Sequence, residues 1–325
     1  MAMNRRNLFT LSICGVIAAC ALASASLGAE KVRLGYLQSD LHQLAAFIAI
    51  EKGFYKQEDV DVVVGGIFKA GPEEMSAFAA KDLDFGYVGE APALVAVANR
   101  VANVKIIAQA NLEGSAIVTL KGSGIKNLND LVGKTVAVPG YATVQDFLLK
   151  RALSRSQIQV KSVNVIIVKP PEMIPALQTK QIDAFVAWEP YPSKSITSGV
   201  GEILNASRSL WPKHPCCVVV AETQYLEKHP DVITRILRAH VKATKLISES
   251  PEEAVQIGVK YSGMDRDTVK LAMGNIHYDY TPDTAGVLEY LGFLQEIGHT
   301  KHVEPKTFVK EIIQTDFLNR VITKE

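Results

Sequence analysis

Short apolar runs alternate with segments of helical period over the first two thirds of the chain. Runs of branched and aromatic residues are typical of strands, while apolar residues three and four apart indicate helices. The predicted strands cover residues 32–36, 60–64, 85–88, 104–108, 116–120, 135–138, 163–168 and 184–187. The predicted helices between them cover residues 41–52, 72–80, 92–99, 143–153 and 171–179. This rhythm predicts an α/β fold of mostly parallel, doubly wound sheet.

The last third has a different pattern. Beyond Ala221 the chain is predicted to be almost wholly helical. Candidate helices cover residues 231–248, 251–261, 266–274, 283–297 and 305–313.

Two segments 99 residues apart resemble each other without a gap. Each predicts a helix, a tight turn, a short buried strand and a loop that begins with a glutamate. Two related α/β lobes explain the repeat, and chance similarity between ordinary turn residues is the alternative. The identical pairs are Pro72 and Pro171, Glu73 and Glu172, Ala77 and Ala176, Lys81 and Lys180, Asp84 and Asp183, and Glu90 and Glu189.

Two lobes joined by crossing strands create a cleft between the carboxyl ends of their sheets, where open α/β sheets bind ligands. We expect the crossings near residues 111–115 and 211–217. The first lobe then comprises residues 30–113 together with the largely helical residues 216–325, and the second lobe comprises residues 114–215.

Residues 1–29 have the pattern of a secretory signal peptide. Arg5 and Arg6 precede an apolar stretch, and small residues crowd the segment up to Ala29. The stretch is too short for a good membrane anchor. Cys20 follows a short apolar segment that resembles a bacterial lipobox and is a candidate for lipidation, while residues 23–25 offer an ordinary cleavage site. We expect the mature protein in the periplasm or on the outer face of the cytoplasmic membrane.

Charge and cysteine content narrow the possible functions. Residues 1–29 hold two arginines and no acid, so the rest carries 33 basic and 34 acidic residues, a net charge of −1. This balance gives no electrostatic reason to bind nucleic acid. The mature part contains only Cys216 and Cys217, so it has no disulfide framework.

Polar residues follow the first predicted strand directly. Ser39, Asp40, His42 and Gln43 open the next helix. Ser39 or Asp40 could cap that helix, which would use its side chain within the chain. Alternatively, this loop faces the cleft and contacts a ligand through its side chains and free N–H groups.

A second helix start follows the strand at 135–138. Gly140 permits an unusual turn, Thr143 can cap the helix, and Tyr141 and Ala142 lie between them. The first N–H groups of such a helix bind anionic oxygens well, although many helix starts bind only water.

Acids accumulate at the strand ends. If Asp40, Glu90, Glu113 and Glu189 face the cleft with no Arg or Lys in the same loops, a wholly anionic ligand is repelled. The ligand should then carry an amine or several N–H donors. For Glu113 and Glu189, solvation or a hinge ion pair is the simpler interpretation. Their neighbours Gly89, Ala91, Ser115 and Trp188 are further candidates for ligand contact.

The pair Cys216 and Cys217 follows His214 at the second crossing. The thiols could be buried in the core, joined in a vicinal disulfide, or act as soft metal ligands beside His214 or His42. Because side chains alternate along a strand, we expect one cysteine at most to face the cleft, and Cys216 is the candidate. We predict structural thiols and no metal ligands.

No catalytic motif was found. The sequence has no phosphate-binding loop, no dinucleotide fingerprint after a strand, no HExxH and no GxSxG. We therefore predict a binding protein without a cofactor rather than an enzyme.

Several segments together resemble the solute-binding proteins of ABC importers, in the nitrate, sulfonate and taurine group that also includes thiamine-precursor binders. The resemblance covers residues 31 to about 318. It rests on VRLGY at 32–36, AIEKGFY at 49–55, KNLNDLVGKTVA at 126–137, IDA at 182–184, WEPY at 188–191 and YLEKHPDV at 225–232.

The resemblance implies a two-lobed periplasmic-binding-protein-like fold of type II, with a hinge and an interlobe ligand cleft. It implies a monomer that delivers one small molecule to a membrane permease. Residues 89–92 resemble the aliphatic-sulfonate binders most, whereas residues 39–43 and 214–217 depart from them. Because of the acids at the strand ends, an aminosulfonate fits better than nitrate or sulfate. The alternative is an enzyme similar to thiamine-pyrimidine synthase, with iron near His42, Cys216 and Cys217.

Overall fold

The strands form two separate sheets in the computed structural model, which describes residues 31–300 and 303–323. The predicted signal peptide and Cys20 lie outside the described residues. The six-stranded sheet has the order β11-β4-β10-β3-β1-β2, and the five-stranded sheet has the order β7-β6-β8-β5-β9. The strands are β1 Lys31–Leu37, β2 Asp61–Phe68, β3 Phe85–Gly89, β4 Val104–Glu113, β5 Ser115–Leu120, β6 Thr135–Val138, β7 Asn164–Ile167, β8 Ala184–Trp188, β9 Gly201–Ala206, β10 Pro215–Glu222 and β11 Ile276–Tyr278.

Helices cover the faces of both sheets. They are α1 Leu44–Glu51, α2 Phe54–Gln57, α3 Gly71–Ala79, α4 Glu90–Ala98, α5 Val144–Arg155, α6 Pro170–Gln178, α7 Tyr191–Thr197, α8 Ser207–Leu210, α9 Thr223–Lys228, α10 Pro230–Glu249, α11 Pro251–Ser262, α12 Arg266–Met273, α13 Thr284–Glu296, α14 Pro305–Ile312 and α15 Asp316–Ile322. Short 3₁₀ turns occur at Leu41–Gln43, Leu128–Leu131 and Val160–Ser162. No helix in the described ranges is long and apolar enough to cross a membrane.

The prediction of a mostly parallel sheet is wrong, because both sheets are mixed. Strand β1 is parallel to β2 and β3, and β6 is parallel to β7 and β8. Strand β10 runs antiparallel to β3 and β4, and β5 runs antiparallel to β8 and β9. Helical crossovers keep strands parallel, whereas the strands next to the interlobe crossings return in the opposite direction. Sequence analysis missed β9, β10 and β11.

The chain passes between the sheets at two places. Strand β4 ends at Glu113 and β5 begins at Ser115, so Gly114 alone separates them, with a φ of +84°. The chain returns between β9 and β10. We call the six-stranded sheet with α1–α4 and α9–α15 the first lobe, and the five-stranded sheet with α5–α8 the second lobe.

The 99-residue repeat has the same geometry in both lobes. Lys81 and Lys180 take left-handed turns with φ of 61° and 60°. The Asp84 carboxylate accepts the backbone N–H of Arg33 at 2.7 Å, and the Asp183 carboxylate accepts that of Thr135 at 2.8 Å. Each aspartate therefore ties the turn before its strand to the neighbouring parallel strand.

Residues of α5 connect the second lobe to the core of the first. Phe147 packs within the first lobe's core, with its ring centroid 4.1 Å from that of Tyr290 on α13. Leu37 at the end of β1 packs in the opposite direction, into the core of the second lobe. The lobes therefore contact each other through α5 and through the end of β1.

A buried histidine makes the stability of the first lobe depend on pH. The Nε2–H of His240 on α10 donates to the Gln109 carbonyl at 2.8 Å, so Nδ1 accepts the Tyr87 hydroxyl at 2.9 Å. Burial lowers the pKa of His240 to about 4. In the unfolded chain His240 takes up a proton at about pH 6.5, whereas in the folded protein it does so only near pH 4. The stability that neutral His240 contributes is therefore complete above about pH 6.5 and is lost as the pH falls towards 4.

We therefore predict that wild type loses about 2 kcal/mol more stability than His240→Gln between pH 7 and pH 5. Glutamine does not titrate and can still donate to the Gln109 carbonyl. Urea unfolding of both proteins at the two pH values measures the difference. Equal losses would show that His240 does not titrate in this range.

Candidate functional site

His42 lies at the centre of the cleft, in the turn that follows β1. The Asp40 carboxylate accepts the His42 backbone N–H at 2.9 Å and so fixes the turn. Because a carbonyl only accepts, the His42 Nε2–H donates to the Gly114 carbonyl, at 2.7 Å. This bond aims Nδ1 towards the thiols, 3.3 Å from the Cys216 Sγ and 3.8 Å from the Cys217 Sγ.

Both cysteines face the cleft, contrary to the expectation of one. The pairing of β10 with β4 is irregular between Pro215 and Cys217 and again between Cys217 and Val218. Such a bulge breaks the strict alternation of side chains and re-aims them locally. Cys216 and Cys217 are free thiols, both buried, so they form no vicinal disulfide.

The electrostatics of this cluster are set by burial and by the imidazole. Burial opposes ionisation of Cys216, but a hydrogen bond from Cys217 and the charge of His42 hold its pKa well below the usual value. Burial lowers the pKa of His42, but the Cys216 thiolate and Asp40 outweigh that effect and raise it to about 9. Burial and Cys216 raise the pKa of Cys217 well above normal. These shifts favour ionisation of Cys216 and oppose ionisation of Cys217.

A small cavity lies next to the cluster. Its volume of about 10 Å³ has room for roughly one water-sized particle. Both lobes contribute to its wall, which contains no lysine or arginine. The lining residues are Leu37, Asp40, His42, Gly71, Gly89, Pro92, Thr143, Val144, Gln145, Trp188, Cys216 and Cys217.

The four acids expected at the cleft have different environments. Burial raises the pKa of Asp40 to about 7, although His42 opposes the shift. Burial raises the pKa of Glu90 well above normal and so favours its neutral form. Glu113 pairs with Arg208 outside the cavity, as a hinge ion pair. Glu189 is buried and accepts hydrogen bonds from Asn275 and the Ser193 N–H, so it is not solvated.

Six of the residues predicted from sequence line the cavity: Asp40, His42, Gly89, Thr143, Trp188 and Cys216. The indole Nε1 of Trp188 is buried and has no hydrogen-bond partner among the described residues. The Gln43 carbonyl oxygen holds the loop itself, accepting the Leu37 N–H at 2.8 Å.

Other predicted residues support the cleft without lining it. Ala91 lies in the first lobe's core. The Ser115 hydroxyl accepts the Gln145 side chain at 3.0 Å. Ser39 takes a left-handed turn with φ of 55°, and its side chain bonds to that of Tyr191.

The predicted anion site at the start of α5 is largely occupied by the chain itself. The Ala142 N–H donates to the Asp146 carboxylate, and the Asp146 N–H donates to the Thr143 hydroxyl. Tyr141 is 51% exposed and its ring lies under Lys150. This helix start therefore contributes Thr143 and Val144 to the wall, while Tyr141 points to solvent.

Sequence analysis missed Cys217 and five other lining residues: Leu37, Gly71, Pro92, Val144 and Gln145. The last two directly follow Thr143, and Leu37 precedes the polar loop, so a wider window at strand ends would have included them. Cys217 had no such signal, because a bulge leaves no mark in the alternation of side chains.

Comparison with known proteins identifies the fold. The nitrate-binding protein NrtA of Synechocystis PCC 6803 superposes with a TM-score of 0.82 at 17% identity, covering 91% of this chain and 89% of that one. A Brucella abortus protein, named as a binding protein with no ligand specified, is 28% identical over 84% of this chain and 83% of its own length. The taurine-binding periplasmic protein of Escherichia coli is 25% identical over 92% of this chain and 94% of its own.

Two lobes, two crossings and a ligand cleft between them define the periplasmic-binding-protein fold. The predicted fold class and the predicted group of relatives are thereby confirmed. The NMT1-like family matches residues 26–258, and the chain belongs to that family.

The hinge glycine gives a direct test of the site geometry. A Cβ at Gly114 would lie 2.4 Å from the His42 Nε2, at a positive φ, whereas a Cβ at Gly122 would meet no atom of the described residues within 4 Å, at a φ of +74°. We predict that Gly122→Ala costs about 1–2 kcal/mol of strain. Gly114→Ala should cost about 1–3 kcal/mol more, because it also displaces the imidazole.

Urea unfolding of the two variants separates strain from the clash with His42. A loss for Gly114→Ala no larger than that for Gly122→Ala would mean that the imidazole is not held against the hinge.

Proposed function

We propose that this protein is the extracytoplasmic solute-binding component of an ABC importer, which captures one small polar solute and delivers it to a membrane permease. The observation that carries the proposal is a buried cavity whose wall comes from both lobes, next to a hinge. Such a ligand contacts both lobes only in the closed form, so it shifts the population towards closure.

Contacts across the cleft favour the closed form. Lys169 of the second lobe pairs with Glu73 of the first, and Lys194 of the second lobe pairs with Asp265 at 2.8 Å. These pairs form only while the lobes are together, so they contribute to the free-energy difference between closed and open forms.

The cavity wall bears on the chemistry of the solute. Among its described residues it contains the Asp40 carboxyl group and the Cys216 thiol, whose ionised form is favoured, but no cationic side chain other than His42. A bare anion such as nitrate or sulfate would lack a strong counter-charge. A solute with a positive group, as in an aminosulfonate or a related nitrogen and sulfur compound, fits better. Taurine, named for the E. coli relative, is one such compound.

The sequence supports export and membrane proximity. We propose that residues 1–29 are removed as a signal peptide, or that cleavage before Cys20 leaves a lipid-anchored protein on the outer face of the cytoplasmic membrane. The protein would act as a monomer towards the permease, with no role in nucleic-acid binding and no enzymatic activity.

We predict that one member of a ligand panel raises the melting temperature of the mature protein. The panel contains taurine, alkanesulfonates, nitrate, thiamine precursors and amine-bearing analogues. A ligand at 100 times its Kd stabilises the folded state by about 2.7 kcal/mol, which is a shift of several degrees. No shift with any of these compounds would contradict an organic ligand. Histidine lost during turnover with iron would instead favour the enzyme alternative.

We also predict that losing the interlobe ion pairs opens the protein. Lys169→Ala combined with Lys194→Ala should reduce the ratio of closed to open forms about 2- to 30-fold, because each exposed pair contributes about 0.2–1 kcal/mol. Small-angle X-ray scattering of the ligand-free protein should report a larger radius of gyration than in wild type.

A matched control removes two lysines whose partners lie within the first lobe. Lys260 pairs with Glu51 and Lys270 with Glu252. The double variant Lys260→Ala with Lys270→Ala should leave the radius of gyration unchanged. Equal radii for both double variants would mean that the pairs at Lys169 and Lys194 do not hold the lobes together.

A further inference from the structure

We infer that His42, Cys216 and Cys217 form a binding site for a single soft metal ion of the zinc(II) or copper(I) class, and that this ion is the solute held in the closed cleft. The inference rests on the proposed solute-binding function and names its ligand class. The positive group expected of the solute is then the charge of the ion itself.

The spacing of the three side chains suits tetrahedral coordination. Zinc bonds of about 2.0 Å to nitrogen and 2.3 Å to sulfur, at tetrahedral angles, place neighbouring ligand atoms roughly 3.3–3.8 Å apart. The His42 Nδ1 lies 3.3 Å from the Cys216 Sγ and 3.8 Å from the Cys217 Sγ. All three ligand atoms lie within 4.8 Å of one another. An ion therefore fits among them with only small side-chain movements.

Asp40 offers a fourth ligand close to His42 and Cys217. Its Oδ1 lies 3.8 Å from the His42 Nδ1, and its Oδ2 lies 4.0 Å from the Cys217 Sγ. These distances are compatible with a carboxylate oxygen that completes a tetrahedron, directly or through a water. The adjacent cavity of about 10 Å³ has room for one water-sized particle.

The imidazole is held as a metal-ligating histidine usually is. Such residues commonly donate their second ring N–H to a backbone carbonyl or carboxylate, which fixes the tautomer and the ring orientation. The bond from the His42 Nε2 to the Gly114 carbonyl does this and leaves Nδ1 facing the thiols, where a bound ion would take the place of the Nδ1 proton, which leaves to solvent.

The donor set determines the kind of ion. Two thiols and an imidazole favour zinc or copper(I), whereas magnesium and calcium require several oxygen ligands. The bulge in β10 has the effect that both sulfur atoms, rather than one, are available to the ion. In addition, the site lies under residues of the second lobe, including Thr143 and Trp188. Entry therefore requires the lobes to separate.

The test uses the mature chain from residue 30, freed of metal by chelation under reducing conditions. Calorimetric titration should give one zinc ion per chain. Cobalt(II), as a spectroscopic substitute, should give sulfur-to-metal charge-transfer absorption in the near ultraviolet together with the visible bands of a tetrahedral site. Magnesium should not bind at this site.

Variants locate the ion. Cys216→Ser and Cys217→Ser should each weaken zinc binding by about 100-fold or more, since even loss of a supporting outer residue typically costs 10- to 100-fold. His240→Gln is the matched control, because His240 is equally buried but lies outside the cluster, and it should bind zinc like wild type. The cobalt spectrum of wild type tests the site even if a cysteine variant does not fold.

The outcomes separate this inference from the proposed function. Zinc binding that is absent, or unchanged in both cysteine variants, overturns the metal site. If taurine or an amine-bearing compound then raises the melting temperature of wild type, the importer function stands without the metal. If zinc binds and the binding depends on the cysteines, but the radius of gyration does not change, the metal site is supported and closure driven by the solute is contradicted.

Discussion

The hydrogen bond from His42 to the Gly114 carbonyl is the contact on which the cleft depends. It joins the loop after β1 to the crossing between the two sheets, at 2.7 Å and fully buried. Gly114 can have no side chain there, because a Cβ would occupy the position of the imidazole. The same bond decides which ring nitrogen faces the cysteines. The geometry of the hinge and the chemistry of the site therefore share a single interaction.

Much of the fold could be predicted from sequence because each α/β unit has its own local pattern. The 99-residue repeat predicted the helix, turn and strand around Lys81 and again around Lys180, where both turns are left-handed. The direction of the strands beside the crossings could not be predicted in this way. Strand β10 is an apolar run like any other, and only the return of the chain from the second lobe makes it antiparallel.

The site was predicted in part, for related reasons. Asp40, His42 and Thr143 follow strands directly, so the rule that ligands bind at strand ends selects them. The rule does not say which neighbouring side chain turns inward, and Tyr141 turns outward to lie beneath Lys150. Cys217 faces the cleft because of a bulge, and a bulge depends on pairing with a distant strand. The repulsion of anions expected from four acids is weaker, because burial favours the neutral form of Glu90 and because Glu113 pairs with Arg208.

Membership of the NMT1-like family and the fold shared with nitrate- and taurine-binding relatives describe the scaffold, while the loops determine what it binds. The most direct test is a crystal structure of the mature protein grown with equimolar zinc, with diffraction recorded on both sides of the zinc absorption edge. We expect one anomalous peak within bonding distance of the His42 Nδ1 and of both cysteine sulfur atoms, between closed lobes. A cleft without such a peak, with zinc only at surface carboxylates, would contradict it.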